Sequence, residues 1–220
     1  MRAAAAIDDG EGGAAASAAP AASAHVDGEP ISLSEREMGS VELFPQTVVH
    51  NANGRFLVVA GDNEYVIYTA QALRNKSFGQ ALDFVWSAYG TGNYAVREST
   101  SRVKIFKDFK ETAAFKPGIP AEGIFGGALL GVRSADTVVF YDWDLAKVVR
   151  RIEVGSIRGV YWNESGSLVS IATDESYFVL RFNRDAYAAG VEAATSAADA
   201  AAVAEEGVEA AFELQVSRLE

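Results

Sequence analysis

The feature that most constrains the fold is a pattern of short strands that repeats four times between residues 41 and 182. Each copy alternates β-branched and aromatic residues with polar ones, and turns containing Gly and Asn separate its strands. The second strands of the copies begin at residues 56, 94, 129 and 168, so successive copies lie 38, 35 and 39 residues apart. A third strand follows in every copy, at 65–69, 103–107, 138–142 and 177–181.

Each of these hairpins is flanked by two further strands. The preceding strand reads TVVHN, DFVWSA, EGIFGG and GVYWNE, and a weaker following strand lies near 76–79, 112–116 and 148–154. Four strands in roughly 40 residues is the period of a β-propeller blade and is too long for a leucine-rich repeat. The β-branched alternation disfavours paired helices of similar period. The sequence therefore predicts an all-β fold, a partial β-propeller of about four WD-like blades.

Four blades make at best a small closed ring, so we expect an open array of blades. Such an array would leave a bare strand edge at each end. Because unpaired edges template association with other chains, we expect the isolated chain to be marginally stable or prone to aggregation.

Both ends of the chain differ in composition from this central part. Residues 1–33 are dominated by Ala, Gly, Ser and Pro, with too little apolar surface to offset the entropy of ordering, and are predicted to form a disordered tail. A leader joined to a truncated gene model explains the same composition. The blades are assigned to residues 34–185. Residues 186–220 are rich in Ala and Glu and are interpreted as one or two helices or a linker leaving the propeller, with breaks at Gly190 and Gly207.

The charge and residue inventory argues against several classes of function. A formal net charge of −11 and a pI near 4.7 disfavour a protein that binds duplex nucleic acid. The chain has no Cys, which excludes disulfides, thiolate metal sites and thiol nucleophiles. Its longest apolar run, near 123–132, is far shorter than the roughly 20 residues of a membrane-spanning helix. The N-terminus lacks the apolar centre of a secretory signal, so we expect a cytoplasmic protein.

Catalytic and metal sites are hard to assemble from these residues. His25 lies in the tail and His50 at a strand end, so neither stands beside a Ser and an acid. Asp142 and Asp144 form an Asp-x-Asp motif, which we interpret as a turn cap because no third ligand cluster is near. We therefore expect no enzyme activity, no cofactor and no metal.

Two further motifs are interpreted as structural. A strand, rather than the helix of a phosphate-binding loop, follows Gly126 and Gly127, so these glycines are assigned to a blade turn. Trp86 and Trp162 recur at blade spacing, which is typical of packing between blades rather than of a ligand cage.

One charge feature stands out in this acidic chain, a group of cationic residues centred on the second repeat. Arg97 and Arg133 hold equivalent positions in adjacent repeats, so we expect them side by side on one face of the ring. Alternation places Lys104 off the face that holds Val103 and Ile105. The ordinary interpretation is a solvated rim, and the sharper hypothesis is a contact for an acidic partner or an anionic lipid headgroup. The candidate contact residues are Arg97, Arg102, Lys104, Lys107 and Arg133.

Long segments of the chain resemble the second WD-repeat propeller of the coatomer beta-prime subunit family. They include FPQTVVHNANGRFLVVAGDNEYVIYTAQALRNKSFGQALDFVW, YAVRESTSRVKIFKDFKE, GIFGGALLGVRS, VVFYDWDLAKVVRRIE and ESYFVLRF, while EEGVEAAFEL resembles the acidic helix after that propeller. The likeness runs in one register from Ser34 to Leu214 and covers neither the first propeller, nor the early blades of the second, nor the α-solenoid. The WD dipeptide is degraded to Phe106-Lys107 and Tyr141-Asp142, so we expect these blades to rely on packing.

The resemblance implies a structural, non-enzymatic part of the COPI vesicle coat that scaffolds Golgi-to-ER and intra-Golgi transport. Implied partners are other coatomer subunits, above all the alpha subunit, and an Arf-family GTPase through the assembled coat. The implied location is cytoplasmic and peripheral, on Golgi membranes and COPI-coated vesicles. In that family the first propeller reads cargo tails, so none is expected to bind here. A propeller module that recognises an acidic peptide or anionic headgroup is the alternative, and a propeller hydrolase is a third candidate.

Overall fold

The computed structural model describes residues 27–30 and 37–219. Residues 27–30 form an exposed turn, and a separate compact unit begins at Met38. The predicted disorder of residues 1–33 lies outside the described residues, apart from 27–30. Across the two described ranges, no helix is both long and apolar enough to cross a membrane.

The described residues form four antiparallel four-stranded sheets, one for each sequence repeat, which confirms the predicted partial propeller. We name the sheets blades A to D. Blade A comprises β1 (Thr47–His50), β2 (Phe56–Gly61), β3 (Glu64–Thr69) and β4 (Asn75–Gln80). Blade B comprises β5 (Asp83–Trp86), β6 (Tyr94–Ser99), β7 (Arg102–Lys107) and β8 (Lys110–Phe115). Blade C comprises β9 (Gly123–Phe125), β10 (Leu130–Arg133), β11 (Thr137–Tyr141) and β12 (Val148–Glu153). Blade D comprises β13 (Gly159–Trp162), β14 (Leu168–Ala172), β15 (Ser176–Phe182) and β16 (Phe212–Leu219).

The tight turns between strands follow the chemistry expected from the sequence. Asp62 and Asn63 connect β2 to β3 with φ angles of 54° and 65°, a conformation that Asn and Asp adopt more readily than most residues. Asp108 and Phe109 form a similar two-residue turn between β7 and β8 of blade B, with φ angles of 51° and 65°. The positive φ of Phe109 is unusual for a bulky residue, and its ring lies 4.8 Å from the ring of Phe56 in blade A.

The core consists of apolar layers between successive blades, because each sheet presents one face to the preceding blade and the other to the next. Tyr94 of blade B is fully buried against blade A, and its ring stacks 4.5 Å from that of Phe106 on the adjacent strand of its own blade. Leu130 is buried between blades B and C, and Phe140 between blades C and D. Burying one such side chain contributes roughly 1.5 to 3 kcal/mol. Trp86 packs in the first of these layers and Trp162 against the third, as predicted.

The ends of the stack are sheet faces and not the bare strand edges that we expected. The blades are separate sheets that pack face to face, so removing a neighbour exposes side chains rather than a row of backbone groups. The outer face of blade A is centred on Leu57, Val59 and Tyr68, and Val41 and Leu43 from the segment before β1 pack against it.

The C-terminal segment departs from the predicted helix or linker. It begins with α1 (Arg184–Ala193) and α2 (Ala197–Glu206), but a short 3-10 helix (Glu209–Ala211) then leads into β16. β16 pairs antiparallel with β15 and completes blade D, so the helical interpretation is wrong for these eight residues. The helices also do not leave the propeller, because Gly207 at the end of α2 bridges to Arg150 of blade C. Gly190 lies inside α1 and does not break it.

Candidate protein interaction surface

Arg97 and Arg133, the two arginines expected side by side, contact neighbouring residues of the short segment before β9, Ala121 and Glu122. Arg97 is 12% exposed, and its Nε lies 2.6 Å from Asp83 Oδ2 on the neighbouring strand. Its Nη1 donates to the carbonyl oxygen of Ala121 at 3.3 Å. The next residue, Glu122, pairs with Arg133 at 3.6 Å between Nη1 and Oε2. Both arginines are therefore engaged with carboxylates of their own chain.

Arg102 and Lys104 share a single carboxylate, that of Glu98. The Nε of Arg102 lies 2.9 Å from Glu98 Oε2, and the Nζ of Lys104 lies 2.5 Å from Glu98 Oε1 and 3.3 Å from Glu111 Oε2. The hydrogen bond to Glu98 raises the pKa of Lys104 above its ordinary value. Lys104 pairs across the sheet with Val96, whereas Val103 pairs with Arg97, so Lys104 and Arg97 lie on opposite faces of blade B.

Lys107 pairs with the next blade. Its Nζ lies 2.7 Å from Asp144 Oδ1 in the turn between β11 and β12, and this hydrogen bond raises the pKa of Lys107. Each of the five predicted contact residues thus has a carboxylate partner, and the five do not form one continuous basic surface. Arg102 and Lys107 remain more than half exposed. A role for these residues in contacting a partner or a headgroup stays a prediction.

Residues of blades A, B and C, together with Arg158 just before blade D, line a small polar groove of about 290 Å³ near the first strands. Its charged residues are Asp83, Glu122, Arg133 and Arg158. Arg158 donates a bidentate pair of hydrogen bonds to Asp174, which lowers the pKa of that carboxyl. These charges are of both signs and engaged in pairs, so the groove has no strong preference for a charged ligand.

The free face of blade D offers a broader surface, which we name the open face: Tyr161, Ser170, Val179 and Val216. These four residues pair in a row across β13, β14, β15 and β16, on the side opposite to the core of blades C and D. Tyr161 is 65% and Val216 47% exposed. Sequence reasoning missed this row, because alternation shows that Tyr161 and Trp162 face opposite ways but not which face lacks a neighbour.

Asp142 and Gly127, two motif residues interpreted as structural, lie in turns of blade C, as predicted. Asp142 Oδ1 accepts hydrogen bonds from the backbone N–H of Asp144 at 2.8 Å and of Leu145 at 2.9 Å, which caps the turn after β11. Among the residues that the structure describes, no group of His, Asp and Glu side chains is arranged to hold a metal ion. Gly127 has a φ of 145°, and a Cβ there would lie 2.0 Å from Cδ1 of Trp162, so close contact between blades C and D requires glycine.

Comparison with known proteins identifies a family whose members share this sequence pattern. The family model described as COPA/B second beta-propeller matches residues 15–217. Coatomer subunit beta' of Homo sapiens is 52% identical over 188 residues, which make up 86% of this chain and 20% of that protein. Coatomer subunit beta'-1 of Oryza sativa subsp. japonica is 51% identical over 189 residues, with the same two shares. The chain thus spans about a fifth of the length of these relatives.

Solved structures support the same architecture at much lower identity. The structure titled Kluyveromyces lactis Hsv2 complete loop 6CD aligns with a TM-score of 0.54 and 14% identity. The alignment covers 66% of this chain and 50% of that chain. At this identity the likeness concerns the fold alone.

Proposed function

The chain belongs to the COPA/B second beta-propeller family, and on this premise we propose that it is a structural part of a coatomer subunit, which holds coat components together through protein contacts. The identity to coatomer beta' over 86% of the chain supports the choice of subunit. The function is scaffolding and not catalysis.

The observation that carries this proposal is the open face of blade D. The three layers between the blades are closely packed, so the stack is a rigid platform of strands. Tyr161, Val179 and Val216 of the open face lie at one end of this stack, and Tyr161 and Val216 are exposed. Aromatic and aliphatic side chains on a rigid surface are suited to burial against another protein.

We further propose that this scaffold acts in vesicle-mediated transport from the Golgi to the endoplasmic reticulum and within the Golgi. Its partners would be other coatomer subunits, with the alpha subunit first among them, and an Arf-family GTPase through the assembled coat. Its location would be cytoplasmic, peripheral on Golgi membranes and COPI-coated vesicles. Cargo tails would bind elsewhere in the coat.

Co-precipitation of the tagged full-length gene product tests the scaffold role. We expect recovery of other coatomer subunits with the wild-type protein and a reduced recovery with Tyr161→Glu, which places a charge on the open face. Leu145→Glu is a matched control, because Leu145 is also 65% exposed but lies in a turn of blade C. Failure of the wild-type protein to recover any coatomer subunit would overturn the proposal.

The alternative, a binding module for an acidic peptide or an anionic headgroup, depends on the exposure of Arg102 and Lys107. Reversing the exposed Arg102 and Lys107 to Glu tests headgroup binding by sedimentation with vesicles that contain anionic lipid, and the same variant tests binding of an acidic peptide in solution. Loss of vesicle binding by this variant, together with absent recovery of coatomer subunits by the wild-type protein, would favour the module. Vesicle and peptide binding that are both unchanged by the reversal would exclude it.

A further inference from the structure

A second surface lies on the outer side of blades B and C, and none of its lining residues belongs to the open face. The outer strand β12 and the segment after β8 form one wall of an open groove, and α1 and α2 form the other. The groove measures about 770 Å³, which is within the roughly 300 to 1,000 Å³ of typical ligand sites. We name it the helix groove.

The composition of α2 explains why the groove is open. Its sequence AADAAAVAEE contains one larger apolar residue, Val203, which packs against the core of blades C and D. Ala200, Ala201 and Ala204 also line the groove, and their methyl groups are too short to fill the space up to the sheet. On the sheet side, Phe115 and Val148 complete a largely apolar lining.

The charges at the helix groove are biased toward one sign, although the chain as a whole is acidic. Lys116, Lys147 and Arg151 line it, against the single acid Glu205. Lys116 and Lys147 are exposed. A cationic lip over an apolar floor complements a ligand that carries both carboxylates and apolar side chains.

Arg151, which also lines the groove, is only loosely paired with carboxylates of its own chain. Its Nε is buried and has no hydrogen-bond acceptor among the described residues. The nearest carboxylates, those of Glu153 and Glu206, lie 3.9 and 4.0 Å from this nitrogen, beyond hydrogen-bond distance. Because these ion pairs are long and the side chain of Arg151 is 24% exposed, its positive charge adds to that of Lys116 and Lys147 at the groove.

We propose that the helix groove binds an acidic amphipathic peptide segment of a partner protein. Apolar side chains of this segment lie against Phe115, Val148 and the alanines of α2, and its carboxylates face Lys116, Lys147 and Arg151. A helical ligand would present such anchors at spacings of three and four residues. The inference goes beyond the proposed scaffold role, since it concerns a different surface and does not depend on the open face.

Selection from a random peptide library against the full chain tests the proposal. We expect enrichment of peptides that combine Asp or Glu with Leu, Ile, Val or Phe. Ala201→Trp fills the groove and should weaken binding of a selected peptide by at least about tenfold. Ala202→Trp is the matched control, because Ala202 is the exposed neighbour of Ala201 and does not line the groove.

A charge reversal keeps the test decisive if the bulky variant fails to fold. Lys147→Glu alters an exposed side chain at the lip and should weaken the same peptide about fivefold or more. Lys110→Glu reverses an exposed lysine elsewhere and should leave binding unchanged. The proposal is overturned if no peptide is enriched, if the enriched peptides lack acids, or if Ala201→Trp binds as well as the wild type. Self-association of the chain that Ala201→Trp abolishes in sedimentation would assign the groove to a second copy, and would also overturn it.

Discussion

The two end faces of the blade stack are covered to different extents. At the first end, Leu57 and Val59 of blade A are buried because Val41 and Leu43 pack over them. At the other end, Tyr161 and Val216 of blade D are exposed. A stretch of preceding chain therefore covers the middle strands of blade A, whereas Val48 and Phe78 on the outer strands of the same face stay exposed. Within the described residues, the open face of blade D has no comparable covering segment. The comparison teaches that coverage, and not the residue type alone, decides how much a blade face contributes to stability.

The largest loss of stability is expected for substitutions in the layers between the blades, which are buried on both sides. Phe140 is fully buried between blades C and D, in contact with the rings of Trp162 and Phe212. We expect Phe140→Ala to lower the free energy of unfolding by about 3 to 5 kcal/mol, because it removes a large apolar group and leaves a cavity. Urea denaturation followed by circular dichroism measures this loss. A loss below about 1.5 kcal/mol would show that the layer is loosely packed.

A pair of identical substitutions compares the two ends directly. Val59→Ala removes two buried carbons from the covered face of blade A and should cost about 1.5 to 2.5 kcal/mol. Val179→Ala makes the same change on the half-buried open face and should cost less than about 1 kcal/mol. Urea denaturation of the two variants provides the measurement. Equal losses of unfolding free energy would mean that covering by the segment before β1 adds no stability to the outer face of blade A.

Alkaline pH should destabilise the layer between blades A and B. The hydroxyls of Tyr65 and Tyr94 lie 3.2 Å apart between blades A and B, and burial raises the pKa of both. The folded state therefore holds these protons more tightly than the unfolded chain, so the associated stability is complete below the unfolded pKa near 10 and is lost as the pH rises above it.

Unfolding in urea at several pH values between roughly 9.5 and 11.5 tests this expectation. The loss should reach at most about 1.4 kcal/mol per pH unit for each tyrosine. Replacing Tyr65 and Tyr94 with Phe should flatten the dependence, whereas Tyr161→Phe on the open face leaves this buried pair intact and serves as the control. An unchanged slope in the double variant would assign the alkaline loss to other groups.

The smallest effect on stability is expected at the open face itself. Tyr161→Glu should change the free energy of unfolding by less than about 0.5 kcal/mol, because the side chain is exposed. Thermal unfolding at several protein concentrations provides the measurement. A loss above about 1.5 kcal/mol, or a transition that depends on concentration, would show that the open face is already covered in the isolated chain.

Much of the fold was predictable because its signals are local. The turn at Asp62 and Asn63 and the alternation along each strand place the first three strands of every blade within a residue or two. β16 was missed because its partner β15 lies about 30 residues earlier in the chain, across two helices. An Ala- and Glu-rich stretch has high helix propensity, and nothing in EEGVEAAFEL itself reveals a strand partner.

The candidate site was less predictable. The cluster of cations in the second repeat was visible, but the carboxylates that pair with it were not. Asp83 reaches Arg97 from the adjacent strand, and Asp144 reaches Lys107 from the next blade. The helix groove also had no sequence signal, because its walls come from strands and helices that are far apart in the chain.

The sequence by itself determined the number of blades, the order of the first three strands in each and the layers that hold them together, since turn residues and period-two alternation act over a few neighbouring positions. Only the tertiary structure decided which blade face is covered, which charges are paired and where α2 leaves a groove. These properties depend on contacts between residues distant in the chain, and the same valine or lysine contributes differently according to what packs against it.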